Sequence, residues 1–296
     1  MTIRKAVSKR PLKLMGRSTS SKTLGIVSDM HVGSVYALAS GYYGKITPDQ
    51  QIIKDWWLHC SDKIGRCDLL LENGEPIEGS HYKNLGYELS IPATLDQIDD
   101  AERLLKMWKY DKILFCRGSK YHSNSEGGHS WAEEDLARKM GAVQYQGVFG
   151  KGSEKQGYSG EYTDMYAFFE INQRTFLANH EIGFSKQKAS RTGAISRALI
   201  NMELERGRWY DQGRNLDCLI NSHNHYYIEV KYANPAMIGV ITGCFKNADS
   251  HLHHGSMASA SDIGACAIIV EQNSEILVKP EIMPAKLIPK PKVVRI

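Results

Sequence analysis

The chain has 296 residues, 42% of them hydrophobic and 24% charged, with a formal net charge of +4, enough for one large globular domain or two small ones. No apolar run approaches the roughly 18 to 20 residues of a membrane span, and the start lacks the hydrophobic centre of a secretory signal, so neither a membrane nor a secreted protein is expected. Cysteines at 60, 67, 116, 218, 244 and 266, with no CxxC pair, speak against a disulfide framework and for a reducing, cytoplasmic setting.

The charge is uneven. Residues 1–22 carry seven Lys/Arg and no acid, and residues 279–296 carry five Lys/Arg and one acid, which leaves an acidic body between basic ends. Such ends can hold a polyanion by screened, salt-sensitive attraction. They serve solubility equally well, and an acid-free start with Arg and Ser also has the make-up of an organellar targeting segment. The division expected is a flexible basic segment at 1–21, a single folded body at 22–284 and a basic tail at 285–296.

Within the body, apolar runs of strand length alternate with helical patterns. LGIV (24–27) reads as a strand, and PDQQIIKDWWLHCSDKIG (48–65) puts Ile52, Ile53, Trp56, Trp57 and Cys60 on one side of a helix. CDLLL (67–71) is the next strand; a second helix at 92–110, with Pro near its start, leads into the strand KILFC (112–116). Ser130 is the expected N-cap of a helix at 130–140 whose first-turn acids suit the helix dipole. The Gly-rich, polar stretch 150–164 reads as a loop or a β-excursion, and MYAFFEI (165–171) with RTFLAN (174–179) flank Asn172-Gln173 as a hairpin.

A helix at about 190–206 leads into the strand LDCLIN (216–221), and the last third is strand-rich, with YYIEVKYA, AMIGVITGC, IGACAIIVE and EILVKPEI. No repeat at solenoid periods is visible. One α/β domain with a second, more antiparallel sheet formed late in the chain is expected.

Five apolar strands are each followed closely by a side chain able to hold a metal or a phosphate: GIVSDMH, LLLENGE, ILFCRGSKYH, TFLANHE and CLINSHNH. In open α/β sheets the carboxyl ends of strands lie side by side and ligands bind there. Asp29, His31, Glu75, His122, His180, His223 and His225 are thereby candidates for one rim, and a mixed carboxylate and imidazole set suits Mn, Fe, Ni or Zn. Each signal is weak alone; their order at successive strand exits gives them weight. The HLHHG run (251–255) reads more simply as a solvated loop.

These blocks resemble the signature of the calcineurin-like metallophosphoesterases, which runs approximately DxH, GDxxD, GNHD/E, a lone His and GHxH. SDMHVGS matches the first block, NGEPIEG stands at the second, LANHEIG supplies the lone histidine and SHNH matches the last. The resemblance implies an α/β fold, a four-layer αββα sandwich of two mixed β-sheets flanked by helices. It implies two divalent metal ions, manganese first, with iron, nickel or zinc as alternatives. Asp29, His31 and His225 would hold the first ion, Glu75 would bridge, with Glu78 as the second acid of its block, His223 would hold the second, and His180 would be the lone histidine of the metal set.

Two departures stand out. The bridging position is Glu75 rather than Asp, so the loop or the metal spacing must adjust. The third block is RGSKYHS, with Ser119 in place of the Asn ligand and Lys120 in place of the His, which His122 would recover. A Ser hydroxyl is a poorer neutral ligand than an amide oxygen. This RG-small-x-x-His version is similar to that of phage-encoded members, which would make the setting a host cytoplasm.

The activity implied is metal-dependent phosphoester hydrolysis by a water made acidic between the two ions. Arg117 would stabilise charge on the equatorial oxygens, and His122 would protonate the leaving group. The expected substrate is a nucleotide or nucleic-acid phosphodiester, as for a phosphodiesterase or nuclease. A phosphomonoesterase with the same centre, or a degenerate member that binds nucleic acid or a partner without turnover, are the other readings. The oligomeric state is left open.

Overall fold

Along the strand Cys67–Asn73 the side chains alternate between two cores: Leu69 and Leu71 face a second sheet, while Leu70 faces helices. That alternation, repeated in neighbouring strands, makes four layers. A computed structural model describes residues 11–15, 19–80, 87–119, 122, 132–145, 161–183, 190–204, 216–233, 236–247 and 261–289. In chain order they form β1 (Leu12–Met15), β2 (Lys22–Val27), α1 (Pro48–Ile64), β3 (Cys67–Asn73), α2 (Thr94–Leu105), β4 (Tyr110–Cys116) and α3 (Ala132–Lys139). There follow β5 (Thr163–Asp164), β6 (Ala167–Ile171), β7 (Arg174–Ala178), α4 (Thr192–Leu204), β8 (Cys218–Asn221), β9 (Ile228–Ala233), β10 (Ala236–Ile241), β11 (Gly264–Val270) and β12 (Ile276–Ile282).

One six-stranded sheet has the order β12-β11-β2-β3-β4-β5, the other β1-β6-β7-β8-β10-β9. Both are mixed: β2, β3, β4 and β5 run parallel, with β11 antiparallel to β2 and β12 antiparallel to β11, and β7, β8 and β10 run parallel in the other sheet. Leu24, Ile26, Leu114, Phe169, Phe176, Ile220 and Val240 fill the core between the sheets. Ile53 and Trp57 of α1, Ala101 and Leu104 of α2 and Leu136 of α3 cover the first sheet, and Ile195 and Leu199 of α4 cover the second. This is the αββα sandwich expected from the sequence.

Local chemistry fixes the element ends. Thr47 and Gln50 close a capping box around Pro48 at the start of α1. Asn172 and Gln173, at φ 46° and 67°, make the two-residue turn that joins β6 and β7 antiparallel. Helix α2 stops at Leu105 because the chain turns there to bury Trp108, 4% exposed, before β4 begins.

Two expectations are revised. Residues 12–15, assigned by sequence to a flexible lead, form β1, which pairs parallel with β6 (Leu12↔Phe169) and puts Leu14 into the inter-sheet core. The second sheet does not form late: the last two strands return to the first sheet, with β11 beside β2 (Leu24↔Ile268). Almost every residue of β11 is buried, which requires a place inside a sheet covered on both faces. Among the described residues no helix is long and apolar enough to cross a membrane. Ser130, the run at 251–255, most of 150–164 and much of the basic ends lie outside the described residues.

Candidate metal centre

The parallel strands of both sheets end along one rim. Asp29 and His31 follow β2, Glu75 follows β3, Ser119 and His122 follow β4, His180 follows β7, and His223 and His225 follow β8. The loops are fastened to each other through their backbones: Asp29 N to Gly74 O at 2.9 Å, His31 N to Glu75 O at 3.0 Å, Glu78 N to Val32 O at 2.9 Å and Ser222 N to His180 O at 3.0 Å. Asn73 Nδ2 donates to Ser222 Oγ at 2.6 Å, which ties the ends of β3 and β8 together across the two sheets.

Among the described residues the side chains converge as three groups, the smallest being His31, Glu78 and His122, and the other two overlap. Asp29, His31, Glu75 and His225 form one and Asp29, Glu75, His180 and His223 the other, with ligand atoms in each within 4.8 Å of one another. Asp29 Oδ1 lies 3.3 Å from His225 Nε2 and 3.7 Å from His180 Nε2. Glu75 reaches to both sides, its Oε2 3.1 Å from His31 Nε2 and its Oε1 3.3 Å from His180 Nε2. His31 Nε2 faces His225 Nε2 at 3.3 Å, and His180 Nε2 faces His223 Nδ1 at 3.2 Å.

Backbone strain is concentrated in these residues. Asp29, His31, Glu75, His223 and His225 all hold left-handed conformations, with φ between 46° and 70°, each costing a non-glycine residue on the order of 1–2 kcal/mol. Strain of this kind persists only where the surroundings over-determine it, which the backbone ties between the loops do here.

The donor set fits divalent cations. Asp29 Oδ1 is buried without a hydrogen-bond partner, although the Asp29 carboxylate is fully enclosed. Burial would raise the Asp29 pKa, but His180 and His225 outweigh it and hold it at about 2. Glu75 is likewise held well below the usual range, burial being overcome by His122 and His180. The histidines mirror this: burial opposes the charged form, yet Glu75 and Asp29 push His180 up to about 10, and His225 is raised well above its ordinary value. Anions held as anions and imidazoles driven to take protons describe a site in want of positive charge, and the four imidazoles and two carboxylates suit Mn, Fe, Ni or Zn.

Two expected residues stand in other roles. Ser119 directs both its backbone N–H, at 3.2 Å, and its hydroxyl to Glu75 Oε1, so it holds the longer carboxylate in place and spends on it the hydroxyl expected for a metal. Arg117, 3% exposed, donates from Nε to Thr163 Oγ1 at 2.8 Å and pairs with Glu134 Oε2 at 3.8 Å, tying β4 to β5 and α3 rather than reaching for a phosphate.

His122 packs edge-on to His31, ring centroids 4.6 Å apart, with Nδ1 2.7 Å from the Glu78 carbonyl. A carbonyl only accepts, so Nδ1 carries the proton and Nε2 the lone pair. Burial pushes its pKa down to about 4, making it a neutral acceptor at pH 7.

Sequence reading missed Lys246 and Glu133. Glu133 Oε1 accepts from Gly118 N at 2.8 Å and Glu75 N at 3.3 Å, so α3 steadies two ligand loops. Lys246, 3% exposed, lies with its Nζ 2.9 Å from Glu78 Oε2. It follows β10 at the same rim, so the strand-exit rule that found the histidines would have reached it had lysine been among the residue types sought.

No protein-family model matches the sequence, and none of the curated proteins does. Solved structures similar to it include a metallophosphoesterase from Sphaerobacter thermophilus, 10% identical over 89% of this chain and 88% of that one, with a TM-score of 0.38. YfcE, a phosphoesterase from E. coli, is 10% identical over 86% and 96%, TM-score 0.36. Vacuolar protein sorting 29 from Cryptosporidium parvum is 11% identical over 89% and 98%, TM-score 0.39. The architecture is a four-layer αββα sandwich. Two mixed six-stranded sheets between helices, with His- and carboxylate-bearing loops along one rim, define it.

Proposed function

We propose that the chain is a metal-dependent phosphoesterase and, within that class, a phosphodiesterase acting on a nucleotide or nucleic acid. The observation that carries the reading is the pair of overlapping His and carboxylate groups that share Asp29 and Glu75. Two divalent cations bound there supply Lewis acidity to phosphoryl oxygens and a lowered pKa to water.

The chain's own residues supply the rest. Asp29 and Glu75 serve both cation positions, with His31 and His225 completing the first and His180 and His223 the second. Ser119 keeps Glu75 extended, and Gly118, bonded to Glu133, lets the third loop approach it without a side chain. His122, edge-on to the His31 ring, keeps the lone pair of Nε2 free of the proton held by Nδ1. It can take up a proton alongside an anionic substrate and return it to the leaving alkoxide, and the low starting pKa makes it a ready donor once charged. A diester is favoured over a monoester because the basic ends provide a salt-sensitive attraction for a polyanion.

The test is hydrolysis of bis-p-nitrophenyl phosphate against p-nitrophenyl phosphate by chelator-stripped protein, with Mn, Fe, Ni, Zn or Mg added back. Metal-restored cleavage with the diester preferred is expected. Preference for the monoester would overturn the diesterase assignment, and absence of cleavage and of metal uptake would overturn the phosphoesterase reading.

A further inference from the structure

A lysine ammonium at 3% exposure is costly unless it is paired, and Lys246 pairs with a carboxylate that is itself buried. Its Nζ lies 2.9 and 3.2 Å from the two oxygens of Glu78, which is 2% exposed. Glu78 Oε2 in turn lies 2.9 Å from His31 Nδ1, a close ionic contact that is not aligned as a hydrogen bond. The other nitrogen of that ring, Nε2, looks the opposite way, toward Glu75 and His225. Lysine, carboxylate and imidazole are thus joined by close ionic contacts that end inside the first ligand group.

The three residues share one backbone frame. Phe245 N donates to Asp29 O at 3.0 Å, Lys246 pairs in a bridge with Ala37, and Glu78 N donates to Val32 O at 2.9 Å. The position of the ammonium is therefore fixed relative to the loop that carries Asp29 and His31. Glu78 also has a competing neighbour, His122 Nδ1, 4.0 Å from the same oxygen. The ammonium lies nearest that same oxygen, at 2.9 Å.

We propose that Lys246 is a positioning residue: through Glu78 it fixes the His31 ring and so sets how tightly the Asp29–His31–Glu75–His225 position holds its cation. This rests on the phosphoesterase reading only in taking that position for a cation site. Partners behind a metal-ligating histidine fix its tautomer and orientation, and losing one costs about 10–100-fold in metal affinity.

The test uses the full chain, stripped of metal and titrated with cobalt(II) by calorimetry and by the visible spectrum of the bound ion. Wild type should take two equivalents. Lys246→Met should weaken one of them about 10–100-fold and change its spectrum while leaving the other as it was, and Lys246→Arg should recover most of the loss. Because Lys246→Met strands a buried carboxylate and can fail to fold, the double variant Lys246→Met/Glu78→Gln, which removes that charge, decides in its place; the same weakened equivalent is expected. Two wild-type equivalents with an unaltered isotherm and spectrum in the folded variants, or no recovery with Arg, would overturn the inference and leave the phosphoesterase reading standing. A wild type that binds no cobalt would overturn both.

Discussion

Replacing Gly74 by alanine tests whether the site depends on a close approach between three loops. Gly74 has φ 92°, and a Cβ there would stand 2.6 Å from His180 Nδ1, 2.7 Å from its Cγ and 2.8 Å from Gly118 Cα. Neither neighbour can give easily: His180 Nδ1 is held 2.7 Å from Asn73 O, and Gly118 N is held by Glu133 at 2.8 Å. The backbone conformation costs an L-residue about 1–2 kcal/mol and the overpacking about 1–3 kcal/mol, so a destabilisation of about 2–5 kcal/mol is expected.

Gly141 separates the two contributions, since it too has positive φ, 62°, but nothing within 4 Å of a built Cβ. Gly141→Ala should cost only the conformational part, about 1–2 kcal/mol, and leave metal binding untouched. Urea unfolding of the metal-free proteins, with metal content measured after reconstitution, reads both effects. A Gly74→Ala protein no less stable than Gly141→Ala and still holding its full complement of cation would refute the reasoning.

Further outcomes concern the ligands themselves. Asp29→Asn removes a carboxylate shared by both groups and should lower cation affinity and hydrolysis by at least about 100-fold, the upper end of what an outer partner alone is worth; activity near wild type would disprove the assignment. Glu75→Asp should lower turnover about tenfold, since Ser119 N and Oγ both meet Oε1 while Oε2 stands 3.1 Å from His31, and one methylene less cannot keep both. A rise in steady-state rate would show that the loop is not built around the longer acid.

Cation binding should also release protons. In the metal-free protein His180, raised to about 10, is protonated at pH 7 and must lose that proton to ligate. Affinity should therefore climb about tenfold or more per pH unit from 7 toward 10 and then flatten. Calorimetry in buffers of different ionisation enthalpy measures the release, and binding without it would contradict the charge balance described for the site. The same raised pKa means that the His180 contribution to metal-free stability is complete below about 6.5 and is lost as pH rises through about 10.

The strand exits were legible because each combines two local signals, an apolar run of strand length and an abrupt polar residue, and chain order alone delivers them to one rim. That sufficed for Asp29, His31, Glu75, His180, His223 and His225. Side-chain roles set by distant partners were not legible. Arg117 has the chemistry for a phosphate, yet Thr163 and Glu134, far along the chain, claim it; Ser119 has the chemistry of a weak ligand, yet the extra methylene of Glu75 brings a carboxylate onto it. The division of strands between sheets escaped for a similar reason. Nothing in GACAIIV says whether it lies beside β10, its predecessor in sequence, or beside β2.

That last pairing has a consequence for how the protein is made. β2 delivers Asp29 and His31, but its partner on one side, β11, leaves the ribosome only after most of the rest has been synthesised. Until then β2 is an apolar edge with an open ladder of N–H and C=O groups, the kind of surface that recruits strands from other chains. Non-local closure of this sort is slow. Low temperature and slow synthesis should therefore raise soluble yield more than any change at the protein's surface.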